Sequence, residues 1–373
     1  MTDQQVVLIT GVAGYWGSRV ATRLLTGTDY AVIGIDARPL PNEIPGLNFI
    51  QADFRDPLLA DLMAVEEVHT VCHLAFWETG RRSEAAFEHN VMGTMKFFGS
   101  CAAANVKKII LKSSAVVYGA QPDNPAYLTE DAPLRGSRRY GYNRYQLETE
   151  DFCNGFRRQN PAIQLTVLRF ANIVGPTADT PFTRYLGHQS TPVLMGFNPM
   201  MQVIHEDDVV SALVHAVIQD VDGTFNVAAQ PAMPLKRILS LAGTLPISIL
   251  HPLTYSSALN PMQRKMSLEP DYLRYRWTMD TTAMSDTLGF YPEQPADEAV
   301  KAFRQQKRLP RQADNPPPKA RPETDLLTLI ERRRKVKAQQ ARTNTQVTAM
   351  PFMAEVASKN EPAPAGTEEV ENV

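Results

Sequence analysis

A glycine-rich turn between a short buried strand and a helix, near the start of the chain, constrains the fold most strongly. Residues 6–9 are four consecutive apolar residues, which is typical of a strand buried on both faces. Glycines follow at 11, 14 and 17, and apolar residues then recur at helical spacing. Gly11 permits the turn, Gly14 lets the backbone approach a pyrophosphate, and Gly17 lets the helix pack against the strand. Because a helix N-terminus attracts phosphate, the stretch predicts a dinucleotide-binding turn.

An acidic residue follows the second apolar strand at the distance that this prediction requires. The strand pattern at 31–35 ends on Asp36, 19 residues after Gly17. A carboxylate there can accept hydrogen bonds from the ribose hydroxyls of NAD, and it repels the 2′-phosphate of NADP. Arg38 is a basic residue of the kind that accommodates NADP, so NADP stays open as the less favoured cofactor.

Strand and helix patterns alternate through the first half of the chain. This order predicts an α/β fold, a Rossmann-type doubly wound parallel sheet with a small C-terminal substrate lobe and a disordered tail. The predicted strands are 6–9, 31–35, 47–51, 68–75, 108–112, 164–169, 201–205 and 223–227, and the longest predicted helices are 85–104 and 140–158. The predicted domains are 1–175 for NAD binding (with 200–230 returning to it), 176–309 mainly for substrate binding, and 310–373 as a flexible tail with one basic helix.

Composition and charge exclude several classes of protein. Apolar residues make up 43% of the chain, yet no apolar run approaches the ~20 residues that span a bilayer. Residues 301–373 carry 14 Lys or Arg against 9 Asp or Glu, which leaves an acidic body and no reason to expect nucleic acid as a partner. The first residues lack the pattern of a signal peptide, and the three cysteines favour buried free thiols over disulfides or a metal site. We expect a cytoplasmic protein without a metal.

The basic helix predicted at 324–340 is the one candidate for a docking element. It could bind a protein partner or an acidic membrane surface. A solvated tail helix is the alternative interpretation.

Several further motifs carry a family resemblance over about residues 4–305. They include Thr10-Gly11-x-x-Gly14-x-x-Gly17, Ser114 four residues before Tyr118-Gly119, Leu168-Arg169-x-x-Asn172, His205-x-x-Asp208 and Leu288-Gly289-Phe290-x-Pro292. With these motifs in order, the chain resembles the extended short-chain dehydrogenase/reductase superfamily, in its NAD-dependent epimerase/dehydratase branch.

The resemblance implies roles for particular residues. Tyr140 would be the catalytic acid/base, Ser114 would hold the substrate oxygen, and Asn172 would bind substrate. The position of the family's lysine, four residues after the tyrosine, is Arg144 here. The residues implied in cofactor binding are Gly11, Gly14, Tyr15, Trp16, Gly17, Asp36, Asp53, Phe54, Leu74, Ala75 and Asn90.

Arg144 is the main departure from the family pattern. Arginine keeps a positive charge that can stabilise a phenolate, but its larger planar group does not give up a proton. Two hypotheses therefore stay open at this point. One is a working redox site with Tyr140 and Arg144, and the other is an NAD(P)-binding subunit with weak or no catalysis, docked to a partner through its basic tail.

The residues after Ser114 narrow the reaction that the resemblance implies. Ala115 and Val116 stand where the nucleotide-sugar dehydratases carry an Asp-Glu pair, so dehydration is disfavoured. The segment is more similar to UDP-sugar 4-epimerases, which implies epimerisation or simple oxidoreduction of a nucleotide sugar or a related small hydroxyl compound. Family members commonly dimerise through the helices at 85–104 and 140–158, so a homodimer is expected.

Overall fold

Seven parallel strands form the central sheet of this computed structural model, which describes residues 4–78, 82–250, 268–306 and 325–358, the last helix with side chains only to 342. The strands are β1 (Val6–Thr10), β2 (Ala31–Asp36), β3 (Asn48–Gln51), β4 (Val68–His73), β5 (Lys108–Ser114), β6 (Gln164–Phe170), β7 (Asn172–Val174), β8 (Ser190–Leu194), β9 (Met200–Met201), β10 (Val203–His205), β11 (Gly223–Val227), β12 (Met233–Pro234) and β13 (Leu245–Ile249). The order across the main sheet is β11-β6-β5-β4-β1-β2-β3, with every pair parallel. This arrangement confirms the predicted fold class.

Helices cover both faces of the sheet, as a doubly wound fold requires. They are α1 (Tyr15–Gly27), α2 (Leu59–Val65), α3 (Glu84–Phe87), α4 (Gly93–Ala103), α5 (Gly141–Gln159), α6 (Pro181–Gly187), α7 (Glu206–Ile218), α8 (Leu235–Ala242), α9 (Thr282–Asp286) and α10 (Ala296–Gln306). A π-helical turn, Glu88–Met92, joins α3 to α4, where the sequence predicts one helix at 85–104.

The strand register aligns the carboxyl ends of the central strands along one edge. Thr10 pairs with Ile35 and with His73, and Ser114 pairs with Phe170. In an open parallel sheet this edge is where ligands bind. The glycine turn after β1 and the polar end of β5 therefore open on the same edge.

The region after residue 176 differs in part from the prediction. Residues 223–227 join the main sheet beside β6, but residues 200–205 do not. Instead, β10 pairs with β7, and β9 pairs with β12. The last contact with the main sheet is at Ala171, whose N–H donates to the carbonyl of Val227, and the next residues form β7, which pairs with β10.

A second unit of the chain begins at Asp325, and its described part is one helix. Its helix α11, Leu326–Ser358, extends beyond the 324–340 span that the sequence predicts for the basic helix. The parts of the predicted tail at 310–324 and 359–373 lie outside the described residues. Within the described ranges, no helix combines the length and apolar character that crossing a bilayer demands.

A buried lysine links the start of β5 to the C-terminal end of α7. Lys108, at the start of β5, is 1% exposed. Its Nζ donates to the carbonyl oxygens of Val217 (3.0 Å) and Gln219 and to Asp220 Oδ1 (3.2 Å). Because the last carbonyls of a helix carry partial negative charge, the ammonium group both satisfies and stabilises this helix end. Burial lowers the pKa of Lys108, and Asp220 opposes that shift.

We predict that Lys108→Met lowers the free energy of unfolding by about 2–3 kcal/mol, because it leaves buried carbonyl groups without their donor. Urea unfolding followed by circular dichroism measures the change. The matched control is Lys107→Met, one residue earlier and exposed, which should change stability by less than ~0.5 kcal/mol. Equal effects of the two substitutions would contradict this account.

Candidate active site

The glycine turn has the close backbone approach that a dinucleotide cradle needs. Gly11 has φ +73°, and a Cβ there would lie 2.8 Å from the nitrogen of Ala75. A Cβ at Gly17 would collide with the carbonyl oxygen of Gly11, and the N–H of Gly14 donates to that same oxygen at 2.9 Å. A residue with a side chain therefore does not fit at position 11 or at position 17. The turn leads directly into the N-terminus of α1, so these residues fit a pyrophosphate.

Asp36 closes one side of this cradle. Its Oδ2 accepts the N–H of Ala13 at 3.1 Å, and its Oδ1 accepts the N–H of Arg38 at 2.9 Å. The guanidinium of Arg38 also donates to both carboxylate oxygens, at 3.1 Å each. The acid and the basic residue that the sequence offers as cofactor determinants are therefore partners in one ion pair.

Leu74 and Ala75 border the glycine turn from the neighbouring strand end. The hydroxyl of Thr10 accepts the N–H of Leu74 at 3.2 Å and of Ala75 at 3.4 Å. The same hydroxyl lies 2.7 Å from Nδ1 of His73, whose Nε2 lies 3.0 Å from the hydroxyl of Thr94. Burial lowers the pKa of His73 to about 3, so the ring is neutral and acts as a structural link.

Three other residues that the resemblance implies in cofactor binding, Asp53, Phe54 and Asn90, are engaged with other protein groups. Asp53 forms an ion pair with Arg55, whose Nη2 is 2.6 Å from Oδ2. The ring of Phe54 is buried and packs against His73 and His89. Asn90 is fully buried, and its amide bonds to both the N–H (2.8 Å) and the carbonyl (3.0 Å) of Trp77. The two hydrogen bonds of Asn90 therefore fix the backbone of the loop that follows β4.

Tyr15 and Trp16 stand at the start of α1. Their rings meet edge to face with centroids 4.7 Å apart. The hydroxyl of Tyr15 lies 2.8 Å from that of Thr177, and Arg19 contacts both this hydroxyl and Asp207 at the start of α7. Trp16 faces the opposite direction, toward Lys112, whose Nζ lies 5.2 Å from the ring centroid.

A cavity at the carboxyl end of β5 brings most of the predicted chemical residues together. Ser114, Tyr140 and Asn172 line it, and Tyr142 and Lys112 line it as well. Its other walls are mixed, with apolar side chains such as Phe170, Ile173, Phe182, Leu268 and Trp277 beside polar ones such as Glu78, Asn143 and Glu269. A cavity with apolar walls and several polar groups suits a small molecule that is held by specific hydrogen bonds.

The start of α5 places two tyrosines at the cavity. The helix begins at Gly141, and Tyr140 is its N-cap residue in an extended conformation. Both Tyr140 and Tyr142 are partly exposed. Both line the cavity, and burial together with the nearby charge of Glu78 raises the pKa of Tyr142, while Lys112 opposes that shift. Sequence reasoning did not select Tyr142, because the motif counts from Tyr140.

Arg144 does not line this cavity. Its Nε donates to Oε1 of Glu148 at 2.7 Å, and its guanidinium lies over the ring of Phe87 at 5.2 Å. Among the described residues that line the cavity, the cation is Lys112, whose Nζ lies 3.0 Å from Oε1 of Glu78. A signal for Lys112 was present in the sequence, because residues two apart on a strand share a face, and Lys112 precedes Ser114 by two.

Behind the cavity, a buried network joins β5, α5 and β6. Arg169 and Glu150 are both 3% exposed, and the Nη2 to Oε2 distance is 2.6 Å. Arg169 also donates to the hydroxyl of Tyr118 at 2.7 Å, and Ser113 donates to Glu150. The carboxylate and the phenol oxygen raise the pKa of Arg169 against the effect of burial, so the guanidinium stays charged.

The substrate side of the cavity is anchored by structural contacts. Asn172 donates to the carbonyl of Gln202 at 3.0 Å. His205 accepts the N–H of Asp207 at 3.1 Å, and Asp208 accepts the N–H groups of Glu293 (2.9 Å) and Gln294 (3.2 Å). The first of these three keeps a place on the cavity wall, whereas the other two fix α7 and the segment before α10.

Comparisons with known proteins agree with this architecture. The model of the NAD dependent epimerase/dehydratase family matches residues 7–228. An uncharacterized protein of Mycobacterium tuberculosis is 32% identical over 311 residues, which cover 79% of this chain and 82% of that protein. A UDP-glucose 4-epimerase of Yersinia pestis is 33% identical over 185 residues, which cover 45% of this chain and 53% of that protein.

Solved structures share the fold. The UDP-glucose 4-epimerase of Thermotoga maritima, determined with UDP-glucose, superposes with a TM-score of 0.63 at 20% identity, over 82% of this chain and 99% of that one. The UDP-N-acetylglucosamine 4-epimerase of Methanobrevibacter ruminantium gives a TM-score of 0.63 at 21% identity, over 82% of this chain and 98% of that one.

Together, the parallel sheet, the glycine turn and the cavity at the same edge define a dinucleotide-binding protein of the Rossmann class. Within that class, the chain belongs to the NAD dependent epimerase/dehydratase family, whose model covers more than half of its length. The family resemblance that the sequence motifs indicate is thereby confirmed.

We predict that Glu150→Gln lowers the free energy of unfolding by about 3–5 kcal/mol, because it leaves the buried charge of Arg169 uncompensated. The matched control is Glu148→Gln on the same helix, which breaks the partly exposed pair with Arg144 and should cost less than ~1 kcal/mol. Denaturant unfolding of the two variants measures the difference. A loss below ~1 kcal/mol in Glu150→Gln would contradict a structural role for the buried pair.

Proposed function

We propose that this chain is an NAD-dependent epimerase or oxidoreductase that acts on a hydroxyl-bearing carbon of a nucleotide sugar or a related hydroxyl compound. The observation that carries the proposal is the position of Ser114, Tyr140 and Tyr142 in one cavity, at the sheet edge that also holds the glycine turn. A bound dinucleotide and a substrate hydroxyl would meet at this edge.

The reaction class needs a group that exchanges a proton with the substrate hydroxyl. When bound, NAD⁺ supplies the acceptor for the hydride that leaves the carbinol carbon. The hydroxyl proton passes to a tyrosine oxygen, and the C–O single bond becomes a carbonyl. Ser114 holds that oxygen with a hydrogen bond. The family resemblance assigns the tyrosine role to Tyr140.

The cofactor would lie along the carboxyl ends of the strands, with the glycine turn at the start of its path. We assign the pyrophosphate to the turn and the start of α1, and one ribose to Asp36. The remaining proposed contacts follow the resemblance and border this path, with Asp53 and Phe54 toward the adenine and Leu74 and Ala75 toward the other ribose. Asn90 would act indirectly, since its amide holds Trp77.

Epimerisation is favoured over dehydration. Ala115 and Val116, which follow Ser114, carry no group that can donate or accept a proton. Named relatives of the chain include UDP-glucose 4-epimerases, and solved structures of the same fold were determined with UDP-sugars or NAD. An epimerase would return the hydride to the other face of the carbonyl, whereas a dehydrogenase would release NADH.

Two finer expectations are part of the proposal. We propose a homodimer that forms through α4 and α5, as family members commonly do, and docking of a partner by the basic stretch of α11. Size-exclusion chromatography with light scattering tests the first expectation. Repeating that measurement and a vesicle sedimentation assay without residues 310–373 tests the second.

Native mass spectrometry of the purified protein, before and after mild denaturation, tests the proposed function. We expect NAD to be retained or to bind on addition, followed by conversion of a UDP-sugar with NAD unchanged or with net NADH release. Cofactor binding with neither product would favour the alternative of an NAD(P)-binding subunit. A protein that binds neither NAD nor NADP would overturn the proposal.

We predict that Asp36→Ala weakens NAD binding about tenfold and strengthens NADP binding. The substitution removes hydrogen bonds to the ribose, a loss of about 1.4 kcal/mol, and it frees the Arg38 guanidinium for a 2′-phosphate. Isothermal titration calorimetry with both nucleotides measures the two dissociation constants. In the control, Asp36→Ala with Arg38→Ala, the gain for NADP should disappear. Unchanged preference in the single variant would show that this ion pair does not select the cofactor.

A further inference from the structure

We propose that Glu269 is a specificity-determining residue of the cavity. The substrate group that it meets is neutral or positively charged, such as a hydroxyl or an amino group, rather than a carboxylate or a phosphate. The inference rests on the proposed function and deepens it, because it sets the charge of the molecule that the cavity takes. It concerns a part of the wall for which the sequence motifs predict no role.

The first observation is the location of Glu269. It precedes a short 3₁₀ turn, Pro270–Leu273, and it is 9% exposed. It lines the same cavity as Ser114 and Tyr140. A carboxylate that is enclosed in this way interacts strongly with a charge placed beside it, because little water screens the two.

The second observation is that a neighbouring amide holds the carboxylate in place. Nδ2 of Asn143, on α5, donates to Oε2 of Glu269 at 3.3 Å and lies 3.5 Å from the hydroxyl of Tyr272. That hydroxyl donates in turn to the carbonyl of Val116 at 2.8 Å. All four residues line the cavity. The carboxylate is therefore a fixed part of the wall rather than a free surface group.

The other charges of the described wall do not compensate for Glu269. Among the described lining residues, Lys112 is the one cation, and its Nζ is paired with Oε1 of Glu78 at 3.0 Å. That pair is neutral as a unit, so Glu269 gives the described wall a net negative charge. An acidic group of a bound molecule is repelled there, whereas a hydroxyl or an ammonium group can donate a hydrogen bond to the carboxylate.

Groups outside the cavity influence the charge of Glu269 as well. Burial raises the pKa of Glu269, and the charge of Asp271 adds to the rise. The charge of Arg139 and the hydrogen bond from Asn143 oppose it, so we expect the carboxylate form near neutral pH. Arg139 is exposed and is not among the described lining residues, so it offers no cation to the cavity.

The wall near Glu269 also contains a hydrogen-bond donor. Trp277 is 6% exposed and lines the cavity, and its indole N–H has no hydrogen-bond partner among the described groups. Its ring packs edge to face on that of Tyr272, with centroids 4.8 Å apart. A buried donor without a partner costs free energy, so a ligand oxygen that accepts from it gains affinity. An acceptor and a donor on one wall suit hydroxyl groups, which can both donate and accept.

Calorimetry of the full chain in the presence of NAD, with a matched pair of ligands, tests the inference. UDP-glucose carries a hydroxymethyl group where UDP-glucuronic acid carries a carboxylate. We expect UDP-glucose to bind about tenfold more tightly, because the second carboxylate is repelled by Glu269. Glu269→Gln should reduce that ratio to below about threefold, and Glu269→Lys should reverse it. The control is Asp271→Asn, two residues later and not among the described lining residues, which should leave the ratio unchanged.

The outcomes separate this inference from the proposed function. If the wild type binds neither sugar but Glu269→Gln binds UDP-glucose, the rejected charge is the diphosphate. That result supports selection by Glu269, and it leaves phosphate-free hydroxyl compounds as the substrates of the proposed function. Equal ratios in the wild type and Glu269→Gln overturn the inference, while binding of both sugars keeps the proposed function. Absence of binding to the wild type and to every Glu269 variant overturns the inference and the nucleotide-sugar substrate together.

Discussion

The site depends on one buried ion pair, between Arg169 of β6 and Glu150 of α5. Both side chains are almost fully enclosed, so each would be costly without the other. Further hydrogen bonds hold both groups, because Arg169 also reaches Tyr118 and the carbonyl of Glu130, and Glu150 accepts the hydroxyl of Ser113. The pair therefore fixes the distance and rotation of α5 against β5 and β6. Those are the elements that carry the cavity's tyrosines and its serine.

Side chains alternate between the two faces of a strand, so β5 can contact the buried ion pair with one face and the cavity with the other. Ser113 points toward Glu150 on one side of β5, while its neighbours Lys112 and Ser114 point toward the cavity. One strand end thus supplies a structural contact and two chemical groups from three consecutive residues. A change in the register of β5 by one residue would exchange these sides, and it would bury the ammonium group of Lys112 where Glu150 and Arg169 already neutralise each other.

The fold was predictable from the sequence because its signals are local. Apolar runs such as those at 6–9 and 108–112 suit a sheet covered on both faces, and Gly11 and Gly17 occupy positions where a side chain does not fit. The site was less predictable. Which tyrosines line the cavity depends on where α5 begins, and the pairing of Asp36 with Arg38 depends on side-chain contacts that spacing does not determine. Residues 200–205 were misassigned because a short apolar strand does not specify its partner.

The contacts of Arg144 explain why an arginine fits at this position. A lysine that binds the cofactor from α5 would need to point into the cavity, but the guanidinium of Arg144 bonds to Glu148 and covers Phe87, which stabilises the helix surface. The requirement for a cation beside a phenol is electrostatic, so it can be met from any element that reaches the cavity. Lys112 reaches the cavity from β5, where its ammonium group is paired with Glu78. Among the described residues that line the cavity it is the one positive group, whereas the charge at 144 stays on the surface of α5.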